Sequence, residues 1–107
     1  MYEGIARTLL EGTYFKVSAI VSLDDREEML SVSLFCTEHP EGRLRMAEGA
    51  KEVWLISNHP EGNQAPYEQD IVNYRTLVGK TGRSKVRLFL SSEYFACFEI
   101  KGNRGVI

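Results

Sequence analysis

The tetrapeptide His-Pro-Glu-Gly occurs twice, as His39-Pro40-Glu41-Gly42 and His59-Pro60-Glu61-Gly62, and the two copies hold the only two histidines in the chain. Imidazole and carboxylate are the groups that general acid–base catalysis and divalent-metal binding both use. If the strands leading into the two copies are near neighbours, both turns reach one end of a sheet. His39, Glu41, His59 and Glu61 would then converge on a metal or a scissile bond, as in a small hydrolase. One imidazole would serve as base or ligand while a carboxylate orients it. The same residues also make good turns without any chemistry, because proline suits the second turn position and glycine the fourth. Each copy follows a hydroxyl residue two positions earlier, Thr37 and Ser57. Turn formation is the preferred reading, since a short motif without structural context is weak warrant.

Other chemical groups are sparser. Cys36 and His39 have Cys-x-x-His spacing, and His59 with Cys97 would complete four zinc ligands. Structural zinc sites usually draw on two close pairs, whereas only one pair is close here, so the reading assigns no metal and no cofactor. Both cysteines fall in expected strands, Cys36 on the inward face, and are expected to be buried neutral thiols. Gly79-Lys80-Thr81 resembles the end of a phosphate loop, but Tyr74 stands where that loop needs its glycine. Asp24, Asp25, Glu27 and Glu28 read as a solvated loop tip without the apolar setting that tunes a carboxyl for acid–base work.

Charge is unevenly spread. Residues 1–50 hold five basic and nine acidic groups, and residues 51–107 hold eight and six. Arg75, Lys80, Arg83, Lys85 and Arg87 lie in a stretch with no acid between Ile71 and Ser92, followed by Phe89, Tyr94 and Phe95. Lys80, Arg83, Lys85 and Arg87 beside aromatic rings are what a groove for single-stranded nucleic acid or another polyanion would use. A net charge of −2 over the whole chain weighs against that reading.

These groups need elements to hold them. Tyr14 to Leu23 alternates, with Phe15, Val17, Ala19, Val21 and Leu23 on one face. Leu30, Val32, Leu34 and Cys36 repeat the pattern, as do Val86, Leu88 and Leu90. Period-two alternation predicts strands at 5–10, 14–23, 29–37, 43–47, 52–57, 85–91 and 94–101. Their connections are mostly too short for parallel crossovers, so neighbours are expected to pair antiparallel. Tyr67, Ile71, Tyr74 and Val78 are spaced four, three and four. This predicts a helix at about 66–78, opened by Pro66 and closed by Gly79. The expected fold is mainly β (α+β), a curved antiparallel sheet or partly open barrel of six to seven strands with one helix plugging an open end. An oligonucleotide-binding barrel carries a helix at a similar place, a likeness of topology only.

The alternation leaves large groups out of phase with the main stripe: Phe35, Trp54, Ile56, Phe89 and Phe95. Either both sheet faces are covered, or part of this face meets a partner, for which Trp and Phe are the expected residue types. At 107 residues, with 43% hydrophobic residues, the chain can bury one core and is read as a single domain, 1–107. That composition excludes global disorder. No apolar run, Val53 to Ile56 among them, is long enough to span a membrane. No secretory leader is visible at the N-terminus, which gives the expectation of a soluble cytoplasmic protein complete from Met1. The leading functional expectation is a non-enzymatic binding module that acts through protein contacts at Phe35, Trp54, Phe89 and Phe95, with itself as a homodimer or with another protein. The polyanion binder and the hydrolase are the alternatives.

Overall fold

The computed structural model describes residues 4, 16–38, 42, 44–59, 68–81, 85–92 and 98–100. In chain order these form β1 (Val17–Leu23), β2 (Met29–Cys36), β3 (Glu52–His59), α1 (Glu68–Thr81), β4 (Lys85–Ser92) and β5 (Phe98–Ile100). They make one five-stranded mixed sheet in the order β2-β1-β3-β4-β5.

β1 and β2 form an antiparallel hairpin in which Val17 faces Cys36 and Ser22 faces Ser31. Its turn is organised by Asp24, whose Oδ1 accepts hydrogen bonds from the backbone N–H groups of Arg26 and Glu28 at 2.8 and 2.9 Å. The side chain thus supplies the turn's acceptor, a role for which Asp is favoured. Glu27 takes the left-handed φ of 62° that the reversal requires.

β3 does not continue this meander. It lies on the other side of β1, antiparallel to it, with Ser18 facing Ser57 and Val21 facing Trp54. The connection from β2 to β3 therefore passes over the sheet. Within it Leu44 is buried, and Met46 and Ala50 pack on the cluster beneath the helix. A strand was expected at 43–47, but residues 44–47 run as irregular chain that covers the core without joining a ladder.

β4 pairs with β3 in parallel, from Glu52 opposite Lys85 to His59 opposite Ser92. This departs from the antiparallel expectation. The chain between the two strands contains α1 and is long enough for a crossover, which needs a dozen or more residues. α1 accordingly lies against one sheet face instead of plugging a barrel end. Among the described residues the sheet stays open, with β2 and β5 at its edges. The expected barrel of six to seven strands is replaced by this open mixed sheet of five. The expected strand at 5–10, and residues 94–97 and 101 of the expected last strand, lie outside the described residues.

Both faces are apolar. Beneath the helix, Ile20, Phe35, Val53, Leu55, Leu88 and Leu90 meet Tyr74 and Leu77. On the opposite face Val21, Leu23, Trp54, Ile56 and Phe89 cluster. Strand pairing explains why Trp54, Ile56 and Phe89 looked out of phase: Val21 pairs with Trp54, Ala19 with Ile56, and Ile56 with Phe89. Register therefore puts them on the same face as the main stripe of β1. Phe35 faces Ser18 and joins the helix side.

The helix also differs in detail. Its buried residues are Asp70, Asn73, Tyr74 and Leu77, and Val72 and Val78 are exposed. Its N-terminal half covers polar ends of strands, so the line it buries is only partly apolar. It continues through Gly79 to Thr81, where the Lys80 ammonium donates to the Leu44 carbonyl at 3.3 Å, tying the last turn to the irregular connection.

Trp54 is 2% exposed and meets Phe89 edge-to-face, with ring centroids 5.4 Å apart. Trp54→Ala is expected to cost about 3–5 kcal/mol of stability. Urea unfolding followed by circular dichroism measures this without relying on the lost fluorophore. A loss below about 1 kcal/mol contradicts the packing described.

Candidate functional site

Two regions depart from an ordinary wet-or-buried sheet. The first is a buried polar cluster at the end of the sheet where β1 begins and β2 and β3 end. Ser18, Thr37, Ser57, Asn58, Asp70 and Asn73 are all buried there. The Ser18 hydroxyl is 2.6 Å from Thr37 Oγ1 and 2.7 Å from Ser57 Oγ. Asn73 Nδ2 donates to the Thr37 carbonyl at 3.2 Å, and Gln69 Nε2 donates to Asn73 Oδ1 at 2.9 Å. Asn58 Oδ1 accepts from the Val17 N–H at 2.8 Å. Lys16 donates to the Asn58 carbonyl and to Asp70 Oδ2, the latter at 3.0 Å.

Alternation builds this cluster: β1 places Ser18 on the same face as Ile20, and β1–β3 pairing brings Ser57 opposite it. Asp70, in the first turn of α1, also lies at the positive end of the helix. Burial pushes the Lys16 ammonium below its ordinary value, while the Asp70 carboxylate and Glu38 pull the other way. The hydroxyls bond to one another, and the Asn58 and Asn73 amides reach backbone, so the chemistry is that of a clamp joining three strand ends to the helix.

The second region is β2. Among the described residues it is an edge strand, it has no charged residue, and Met29, Leu30, Val32 and Leu34 are 49%, 45%, 38% and 48% exposed. Pairing skips from Ser22–Ser31 to Leu23–Met29, so Leu30 is the extra residue of a bulge and the regular edge runs from Ser31 to Cys36. Cys36 is exposed, not buried as expected. It continues the Val32–Leu34 side of β2, which faces away from the helix and is left at the rim of the sheet.

The residues nominated from sequence fall as follows. Phe35, Trp54 and Phe89 are buried within the chain at 5%, 2% and 0% exposure, so they are core and not a surface patch. Phe95 lies outside the described residues. In the basic segment, Glu52 pairs with Arg87 at 3.6 Å and with Lys85 at 3.9 Å. Arg87 also lies 5.0 Å from the Phe89 ring centroid and 6.0 Å from that of Trp54. Lys80 is turned to Leu44, and Arg83 is outside the described residues. Of the described cations in this segment Arg87 is the one packed within the fold, while Lys80 and Lys85 remain exposed.

The strands leading into the two His-Pro-Glu-Gly copies do end at the same end of the sheet, because β2 and β3 flank β1 and both run opposite to it. Gly42 has the left-handed φ of 66° that favours glycine in a turn. His39, Pro40, Glu41 and Pro60 to Gly62, with Cys97, lie outside the described residues. His59 ends β3 opposite Ser92. Among the described residues no three His, Cys, Asp or Glu side chains form a metal-binding group. No described helix is long and apolar enough to cross a membrane.

Sequence reasoning picked out Thr37 and Ser57 only as neighbours of the turns and missed Lys16 and Asp70. Their one signal was polarity at positions that alternation assigns to a covered face. No protein-family model matches this chain, and no curated protein matches it.

Lys16→Met leaves the Asp70 carboxylate buried without the ammonium and is expected to cost about 3 kcal/mol. The folded chain releases the Lys16 proton at lower pH than the unfolded chain. The proton-linked increment to stability from this group is therefore absent at low pH, grows as pH passes the folded pKa, and is complete above 10.5. Urea midpoints of wild type and Lys16→Met, compared from about pH 8 to about pH 10.5, should diverge in favour of wild type. Parallel pH profiles contradict the desolvated lysine.

Proposed function

We propose that this chain is a small non-enzymatic binding module that works through protein–protein contacts, made by adding a strand of the partner to the outer edge of β2. The observation that carries this reading is the exposure of an uncharged, apolar edge strand in a sheet whose inner strands are buried on both faces. An edge strand presents unpaired backbone N–H and C=O groups that template pairing with another chain. Soluble proteins commonly guard such edges with lysine or proline, and β2 has neither. Its bulge at Leu30 guards one end only, leaving Ser31 to Cys36 regular. In strand addition, backbone hydrogen bonds give affinity and alternate side chains give specificity. Here Val32 and Leu34 would supply the apolar contacts.

This moves the expected contact from Trp54 and Phe89, which are buried, to the rim of the same face. The hydrolase reading draws no support from the described groups, whose hydroxyls bond each other. The polyanion reading is weakened by Glu52, which pairs with two of the cations.

A photo-crosslinking amino acid placed at Leu34, and separately at Val72 on the exposed side of α1, tests the reading in cells producing the protein. Discrete adducts from position 34 and none from position 72 are expected. Equal labelling from both sites, or none from position 34, contradicts it.

A further inference from the structure

We infer that the partner taken by the β2 edge is an extended segment of another protein, uncharged and apolar at alternate positions, with lysine or arginine next to the strand it adds. This rests on the edge-binding reading and names its occupant. The argument is the charge at the two ends of β2. The strand itself is neutral from Met29 to Cys36. Immediately before it, the hairpin turn carries Asp25, Glu27 and Glu28 exposed and Asp24 half-buried, against one cation, Arg26. That turn's backbone is held by the hydrogen bonds to Asp24 Oδ1 and by Asp24 N–H donating to the Glu28 carbonyl at 2.9 Å, so the chain that carries its carboxylates is anchored at the start of the edge. Just after the strand, Glu38 is exposed. Among the described residues the docking strip is therefore apolar in the middle and carries acids at both ends, Glu38 sharing its end with Lys16.

A second copy of this chain is a poor occupant for that strip. Antiparallel pairing of two β2 edges sets the acidic turn of one copy beside Glu38 of the other. In-register parallel pairing sets the two acidic turns together. Both arrangements place like charges side by side, which is destabilising across a strand pair. A strand with a basic end meets the turn favourably, and the attraction also speeds encounter at low salt. For an antiparallel partner, the end beside the turn is its C-terminal end, because β2 begins there.

Three end-blocked peptides test this. They share a six-residue core of alternating valine and threonine and end in three lysines, three serines or three glutamates. Binding to the full chain is measured by titration, alongside native mass spectrometry of the chain alone. The lysine peptide is expected to bind about tenfold tighter than the serine peptide at ~0.05 M salt, with the difference largely gone at ~0.5 M. The glutamate peptide should bind weakest. Asp25→Lys with Glu27→Lys should reverse the order, and Val32→Lys with Leu34→Lys should remove binding of all three while leaving the fold intact by circular dichroism.

If all three peptides bind equally and the β2 lysine variant abolishes them, the edge reading survives and the basic partner is wrong. If none binds and the chain is a dimer that the β2 lysine variant splits, the occupant is a second copy. If none binds and the chain is a monomer, both the partner and the edge reading fall.

Discussion

Burial of β3 on both faces governs the rest of this structure. Val53 and Leu55 face the helix while Trp54 and Ile56 face the opposite side, and all four are essentially inaccessible. A strand apolar on both faces belongs in the middle of a sheet, next to a parallel neighbour joined by a helical crossover. That requirement brings β4 alongside in parallel, lays α1 over one face, and leaves β1 as the neighbour on the other side. β1 already holds β2 through a tight hairpin, so β2 is pushed to the rim. The exposed edge thus follows from the demands of the strand two places away.

The same arrangement explains the buried polar cluster. Where β1 begins and β2 and β3 end, the helix has only just begun and its first turn lies over backbone that is leaving the ladders. Apolar packing there would leave peptide groups without partners, at a cost comparable to lost hydrogen bonds. The amides of Asn58 and Asn73 take up backbone bonds there, while the hydroxyls of Ser18, Thr37 and Ser57 satisfy one another. The Lys16–Asp70 pair joins the start of β1 to the first turn of α1. A pair of this kind contributes little net energy against an apolar replacement, but losing one partner is expensive. It therefore holds the helix in one place along the strand ends.

Polarity is distributed to match. Cations that sequence alone groups into one basic stretch are divided among separate contacts: Lys80 ties the last turn of the helix to Leu44, Lys85 and Arg87 meet Glu52, and Arg87 covers two aromatic rings. The acids of the 24–28 turn are spent differently. Only Asp24 organises the turn, and the carboxylates of Asp25, Glu27 and Glu28 stay at the surface beside the apolar edge.

Local pattern was enough to place β1, β2, β3, β4 and the helix within a few residues, because side-chain alternation and the 3.6-residue stripe are properties of neighbouring residues. It was also enough to mark 24–28 as a charged turn. It could not say which strands are neighbours. Pairing across β1 and the parallel joining of β3 to β4 are contacts between distant parts of the chain, and they alone decide which alternating stripes share a face. That is why Trp54 and Phe89, apparently surplus on an outer face, prove to lie beside Val21 in the core. It is also why Val32 and Leu34, which carry the same alternation as β1, stand exposed. The amino-acid sequence by itself determined the elements and their charges. Only the tertiary structure decided which apolar strand is buried and which is left open, because burial depends on what another part of the chain brings to cover it.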